Sequence, residues 1–162
     1  AYKNYKAHRK ELDNDLSLQI KRSRDVFKAL NIPLYEKPGF EADDMLGTIV
    51  EQTKDNPDLD IIIASGDMDT MQLIVDDKVR VYTLKKGIND TIMYDEEKVI
   101  ERFGFKPNLL PDYKGLRGDP SDNIKGIKGI GEKTATTLIT TFGTVEEIYK
   151  KDKDKSSYPF HL

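Results

Sequence analysis

The stretch LDIIIASGDMDT, Leu59–Thr70, decides the fold class. Leu59–Ala64 is a short apolar run rich in β-branched residues, the pattern of a strand buried in a parallel sheet. The run breaks at Ser65-Gly66 and delivers Asp67 and Asp69 at its C-terminal end, where open α/β sheets hold their ligands. One of the two aspartates could cap the short helix predicted after Asp69, but a cap uses one side chain and leaves the other.

Upstream, a helix is predicted over Glu41–Gln52, with Ala42, Met45, Leu46, Ile49 and Val50 as its core-facing stripe. An earlier helix carries Leu16, Ile20, Phe27 and Leu30 on one face, with Asp13 or Asp15 as its N-cap. A short strand is expected at Pro33–Glu36. Downstream, Val79–Leu84 and Ile92–Tyr94 read as further strands. From Asp95 the pattern turns helical. Asp95 caps a helix ended by Gly104, followed by helices over Pro107–Arg117, from Gly131 to about Thr141, and over Val145–Lys150. A polar tail closes the chain, and there is no internal repeat.

Seven carboxylates fall into three tight groups: Glu41, Asp43 and Asp44; Asp67 and Asp69; Asp119 and Asp122. Clustered carboxylates suit hard cations such as Mg²⁺. Each group also has a plainer use. The first complements a helix dipole, and GDPSDN makes a capped turn. Three acids within four residues exceed what one helix start can use, since a like-charge pair ~4 Å apart costs about 4 kcal/mol at an effective dielectric near 20. The glycine hairpin GIKGIGEKTA, Gly126–Ala135, comes directly after the third group. Gly126, Gly129 and Gly131 let backbone N–H groups converge on a phosphate, and Lys125, Lys128 and Lys133 add countercharge. A plain helix connection would not need two Gly-Ile pairs three residues apart. At the N-terminus Tyr2, Tyr5, Lys3, Lys6, His8, Arg9 and Lys10 interleave aromatics with cations, which suits gripping a single strand or forms a solvated helix face. Neither His8 nor His161 has a partner pattern.

The 162 residues allow one to one and a half domains. With no cysteine, disulfides and thiolate metal sites are excluded, and no apolar run reaches the ~20 residues of a membrane span. There is no signal-peptide pattern, so a cytoplasmic location is expected. The net charge of −3 hides an uneven distribution. Residues 1–30 hold eight Lys/Arg against four acids, residues 41–77 hold eleven acids against one lysine, and residues 114–133 hold five Lys/Arg against three acids. An acidic middle between basic flanks is what a metal-loaded cleft with backbone-gripping arms needs.

In order along the chain, YKAHR, GFEADDMLG, IIIASGDMDTMQL, DYKGLRGDPSDNIKGIKGIGEKTA and FGTVEEI resemble the bacterial 5′-nuclease family, which includes the 5′→3′ exonuclease domain of DNA polymerase I and related flap endonucleases. The resemblance runs from about Tyr5 to Lys150. It implies an α/β, PIN-like parallel sheet with flanking helices and an α-helical helix–hairpin–helix module. The divisions it implies are a catalytic core at 1–94 with an arch remnant at 1–12, the hairpin module at 95–155, and a tail at 156–162. It further implies Mg²⁺- or Mn²⁺-dependent hydrolysis of DNA flaps and 5′ ends in replication and repair, by a monomer whose parent could carry a polymerase domain.

By the same resemblance Glu41 and Asp43 face a first metal with Asp44 beside them, and Asp67, Asp69, Asp119 and Asp122 surround a second. Lys6 and Arg9 match the basic arch that steers the scissile phosphate. Lys125, Gly126, Lys128, Gly129, Gly131, Lys133 and Thr134 form the DNA-binding hairpin, whose carbonyls could hold K⁺. The chain departs from the family pattern in two ways. The family places two further strands, each with an aspartate, before the position of Tyr5, so the chain is expected to lack central strands and two metal ligands and to cleave poorly. Lys125 and Lys128 stand where many members have proline. Two other readings compete: a non-catalytic DNA-structure-binding fragment, and a phosphatase of the haloacid-dehalogenase type, whose DxD motif resembles Asp67–Asp69. That type wants Thr or Val where Met71 stands and has no use for the hairpin.

Overall fold

The computed structural model describes residues 2–87 and 89–153; the tail 156–162, with His161, lies outside them. Helix α1 spans Asn14–Ala29 and α2 spans Ala42–Thr53. Strands β1 (Ile61–Ala64), β2 (Val79–Leu84) and β3 (Thr91–Tyr94) form one sheet in that order, with β1 parallel to β2 and β3 antiparallel to it. Helices α3 (Glu96–Phe103), α4 (Leu110–Arg117), α5 (Glu132–Phe142) and α6 (Val145–Lys153) come next. A two-stranded ribbon, β4 (Gly118–Asp119) with β5 (Ile124–Lys125), lies between α4 and α5.

The expected parallel strand exists, but it is shorter and only one of its faces is covered. Ile63 is buried while Ile62 is 53% exposed. β2 alternates in the same way, burying Val79, Val81 and Thr83 and exposing Leu84. The apolar run therefore reflects β propensity more than burial on two faces. The covered face packs against Met71, Val99, Leu110, Tyr113, Leu116, Ala135 and Ile139, so one continuous core joins the sheet to the helices after it.

Three expectations need correction. Pro33–Glu36 forms no strand: Pro33 removes an N–H, and among the described residues no strand pairs with it. The stripe on α2 is only half used: Val50 is buried and Leu46 packs on the core, but Ala42 and Ile49 are exposed. The apolar face of α1 is exposed throughout, and the helix buries no residue. Periodicity identifies these faces correctly, but the three-stranded sheet offers no surface to cover them.

The local signals in the second half act as expected. The Asp95 side chain accepts the Lys98 N–H at 2.9 Å and starts α3, and Gly104 ends it at φ 84°. Leu110, Tyr113 and Leu116 turn one face of α4 into the core. The chain then makes a tight turn. At Gly118 (φ +83°) an added Cβ would sit 2.3 Å from the Gly126 nitrogen, and one at Gly126 would sit 2.2 Å from the Arg117 carbonyl carbon. These two glycines let the hairpin lie directly against the end of α4. The Ile127 N–H donates to the Leu116 carbonyl at 2.9 Å and fastens it there.

Candidate functional site

The end of β1 leads into a 3₁₀ turn, Met68–Leu73, whose N-cap is Asp67. The Asp67 carboxylate accepts the Asp69 N–H at 3.0 Å. Asp67 is thus the cap, and Asp69 is left to project into the crevice beyond the strand. The β4–β5 ribbon brings the third acid group to the same place. Oxygens of Asp69, Asp119 and Asp122 lie within 4.8 Å of one another. At that spacing each like-charged pair costs about 3 kcal/mol at an effective dielectric near 20, so the cluster needs a cation among its members.

Lys114, on the last turn of α4, supplies one. Its ammonium donates to Asp119 Oδ2 at 2.7 Å and to Asp69 Oδ1. Burial alone would push the Asp119 carboxyl up. Hydrogen bonds from Lys114 and from the Ser121 hydroxyl and N–H outweigh it and hold the group down at about 2. Burial likewise works against the Lys114 charge, and Asp119 and Asp69 raise its pKa in spite of it. Sequence reasoning does not single out Lys114, because one lysine on a charged helix face carries no signal. Its position five residues before Asp119, at a helix end opposite an acidic crevice, is the clue that could have found it.

The first acid group approaches from α2. Burial raises the Asp43 pKa, and the charges of Asp67, Asp69 and Glu41 push it further in the same direction. Asp44 serves the backbone instead. It accepts the Glu41 N–H at 2.8 Å and completes the capping box that starts α2. The N-terminal segment bridges the first and third groups. Lys6 pairs with Glu41 and stands 3.8 Å from Asp122. Arg9 donates to Asp122 at 2.8 Å, the Tyr5 hydroxyl to the same carboxylate at 3.2 Å, and the Lys6 N–H to the Asp122 carbonyl at 3.0 Å. Burial opposes the charge on Lys6, but its hydrogen bond to Glu41 and the nearby acids raise its pKa.

Lys6 thus ties Glu41 to Asp122, and Arg9 joins Asp122, at the crevice that Asp67, Asp69 and Asp119 also line, while Asp44 stays in the helix cap. Asp67, Asp69, Asp119 and Asp122 line a cavity of about 770 Å³ whose other walls carry Arg9, Arg102, Lys114 and Arg117. Lys125, Lys128, Gly129, Gly131, Lys133 and Thr134 are exposed on the adjoining hairpin and the first turn of α5. Gly131, the N-cap of α5, offers no side-chain hydrogen bond, so the first N–H groups of α5 have no capping acceptor there. Gly126 is different: it is packed on Arg117 and Gly118 and builds the turn.

The low Asp119 pKa sets a pH dependence. A carboxyl held below its unfolded value contributes stability above that value and loses it as pH falls through the folded pKa. With the folded value at about 2, Asp119→Asn is expected to cost about 2 kcal/mol at pH 7. The difference from the unmodified chain should shrink between about pH 4 and pH 2, as read by urea denaturation across that range.

Two family profiles together span residues 1–159: "5′-3′ exonuclease, N-terminal resolvase-like domain" matches residues 1–104, and "5′-3′ exonuclease, C-terminal SAM fold" matches residues 105–159. DNA polymerase I of Caldicellulosiruptor bescii is 46% identical over 159 residues, 96% of this chain and 18% of that protein. DNA polymerase I of Bacillus caldotenax is 42% identical over 148 residues, 91% of this chain and 17% of its own length. The chain thus spans under a fifth of these relatives. Among solved structures, a bacteriophage T5 flap endonuclease, in a pseudo-enzyme-product complex with DNA and metal ions, superposes with a TM-score of 0.76 at 26% identity, covering 99% of this chain and 60% of that one. The catalytic core of Rad2 shares the fold at 19% identity, with a TM-score of 0.60 over 93% of this chain and 46% of its own. The α/β architecture is PIN-like, and the chain belongs to the 5′-3′ exonuclease family.

Proposed function

We propose that this chain forms the metal-binding and DNA-gripping parts of a 5′→3′ exonuclease and flap endonuclease that hydrolyses DNA phosphodiesters, in a protein acting in replication and repair. The carrying observation is the meeting of Asp69, Asp119 and Asp122 within 4.8 Å, beside a cavity walled by four cationic side chains. Oxygen donors alone, crowded and charged, fit a hard divalent ion, and Mg²⁺ or Mn²⁺ is the assignment made. Bound at these carboxylates, such ions would supply an activated water and charge stabilisation at the leaving oxygen. Asp69, Asp119 and Asp122, with Asp67 beside them, would hold one ion. Glu41 and Asp43 would hold the other, with Asp44 fixing the helix start that presents them. Lys6 and Arg9 would orient the scissile phosphate at the mouth of the site.

The core at 1–94 would bring Glu41, Asp43, Asp67 and Asp69 to this chemistry, and the module at 95–155 would add Asp119 and Asp122 together with the grip on duplex DNA. Lys125, Lys128 and Lys133, with the N–H groups of Gly131 to Thr134 and the hairpin carbonyls around a K⁺ ion, would hold the phosphate backbone. DNA with 5′ ends or flaps is the proposed partner, in a cytoplasmic setting and with the chain monomeric; among the described residues no helix is long and apolar enough to cross a membrane.

The test is a comparison of labelled 5′-flap DNA with p-nitrophenyl phosphate in Mn²⁺. The flap is expected to be bound and, however slowly, cut, with cutting abolished by Asp67→Ala; the ester is expected to be left intact. Faster hydrolysis of the ester would establish the phosphatase reading instead. Binding to the flap should weaken steeply with salt, and replacing Lys125, Lys128 and Lys133 by alanine should reduce the slope of log K against log salt by about 2–3. An unchanged slope would remove the hairpin from the DNA interface.

A further inference from the structure

The cation already inside the acid cluster belongs to the chain itself. The Lys114 ammonium donates to Asp69 and Asp119, which come from two elements fifty residues apart and share no hydrogen bond with each other among the described residues. Both carboxylates belong to the group of three that a divalent ion at this site would use. An ammonium donates along the lone pairs through which a carboxylate coordinates a metal, and its charge repels the ion, so the two compete for these carboxylates. Lys114 is also only part-buried, and the cavity gives its flexible stem somewhere to go. Arg117, Arg102 and Arg9 line the same cavity and make its wall cationic.

We propose that Lys114 is a displaceable internal counter-ion: it holds Asp69 and Asp119 together until a divalent cation takes those oxygens, and it then swings into the cavity beside Arg117. The inference rests on the metal reading of the site given above. It gives Lys114 two consequences that a purely structural salt bridge would not have. The lysine keeps the acids preassembled, and it lowers the affinity for the ion by competing for the same ligands. A released Lys114 would add its charge to the wall that meets a phosphate, so metal loading and anion binding in the cavity would favour each other.

The experiment is a Mn²⁺ titration followed by the electron paramagnetic resonance signal of the free ion, with no DNA present. Lys114→Met removes the competing charge and keeps the stem. It is expected to bind Mn²⁺ at least about fivefold more tightly than the unmodified chain, the lower end of ordinary coupling between sites. Lys114→Arg keeps a charge and is expected to lie close to the unmodified chain. Equal or weaker binding by Lys114→Met would overturn the proposal. A second measurement needs no variant. In the unmodified chain, saturating Mg²⁺ should raise the rate at which acetic anhydride acetylates Lys114, relative to exposed Lys128, as read by mass spectrometry; an unchanged rate would also overturn it. Failure of the metal reading shows up separately. If Asp69→Asn and Asp119→Asn leave Mn²⁺ binding intact, the site is not a metal site. If they abolish it while Lys114→Met does not tighten it, only the role of the lysine falls.

Discussion

Asp69→Asn and Asp119→Asn are each expected to weaken Mn²⁺ binding by on the order of 100-fold or more, about 2.7 kcal/mol, while the chain stays folded. Both carboxylates sit in the group of three whose oxygens lie within 4.8 Å, and both contact Lys114. An asparagine keeps the size and one acceptor oxygen but removes the charge, so it tests coordination and not packing. Asp119→Asn should also lose the stability that the Lys114 and Ser121 contacts give the charged carboxylate. The two variants should therefore differ in stability and agree in metal affinity. Asp44→Asn is the control. Asp44 holds the Glu41 N–H, which an asparagine oxygen can also accept, so its effect on Mn²⁺ binding is expected to stay within about fivefold. A loss from Asp44→Asn as large as that from Asp69→Asn would place Asp44 among the direct ligands and redraw the site. Isothermal titration calorimetry on the three variants decides it.

Short-range signals are legible along this chain, and relations between distant segments are not. Asp95 and Gly104 bound α3 because a cap and a left-handed terminator act on their own backbone neighbours. The run into Asp67 and Asp69 is legible for the same reason: a strand must end, and the residues just past its C-terminal end face the crevice. The pairing of Lys6 with Glu41 spans thirty-five residues, and that of Lys114 with Asp69 spans forty-five; no periodicity connects such positions. Chemical type predicts that the acids need a cation but not which cation the chain provides. The α1 and α2 stripes show the opposite limit. Periodicity identifies an apolar face without identifying its cover, and here Leu16, Ile20, Phe27, Leu30 and Ile49 stay exposed. Gly126 shows a third: glycine beside a phosphate and glycine beside another backbone look alike in sequence, and only the close backbone approach, which would leave an added Cβ 2.2 Å from the Arg117 carbonyl carbon, separates them.

That approach carries the second large effect. Gly118→Ala is expected to destabilise the chain by about 4 kcal/mol, because two separate costs fall on one residue. Gly118 sits at φ +83° and ψ 172°, a region essentially reserved for glycine, and its added Cβ would meet the Gly126 nitrogen at 2.3 Å and the Ile124 carbonyl oxygen at 2.8 Å. Both obstructing atoms are backbone, so relief requires the β4–β5 ribbon to open. Asp119 is the next residue on that ribbon and pairs with Ile124, so opening it separates Asp119 from Asp69. Stability and metal binding should therefore fall together, and Mn²⁺ should restore less stability than the ~2.7 kcal/mol it gives an intact site at 100 times its Kd. Gly129→Ala isolates the conformational cost alone: φ is +88°, but an added Cβ meets nothing within 4 Å. That variant is expected to lose about 1–2 kcal/mol and to bind Mn²⁺ as the unmodified chain does. Equal losses of metal affinity in the two variants would mean that the close approach of Gly118 to Gly126 does not set the position of Asp119. Urea denaturation with and without Mn²⁺ separates the two outcomes.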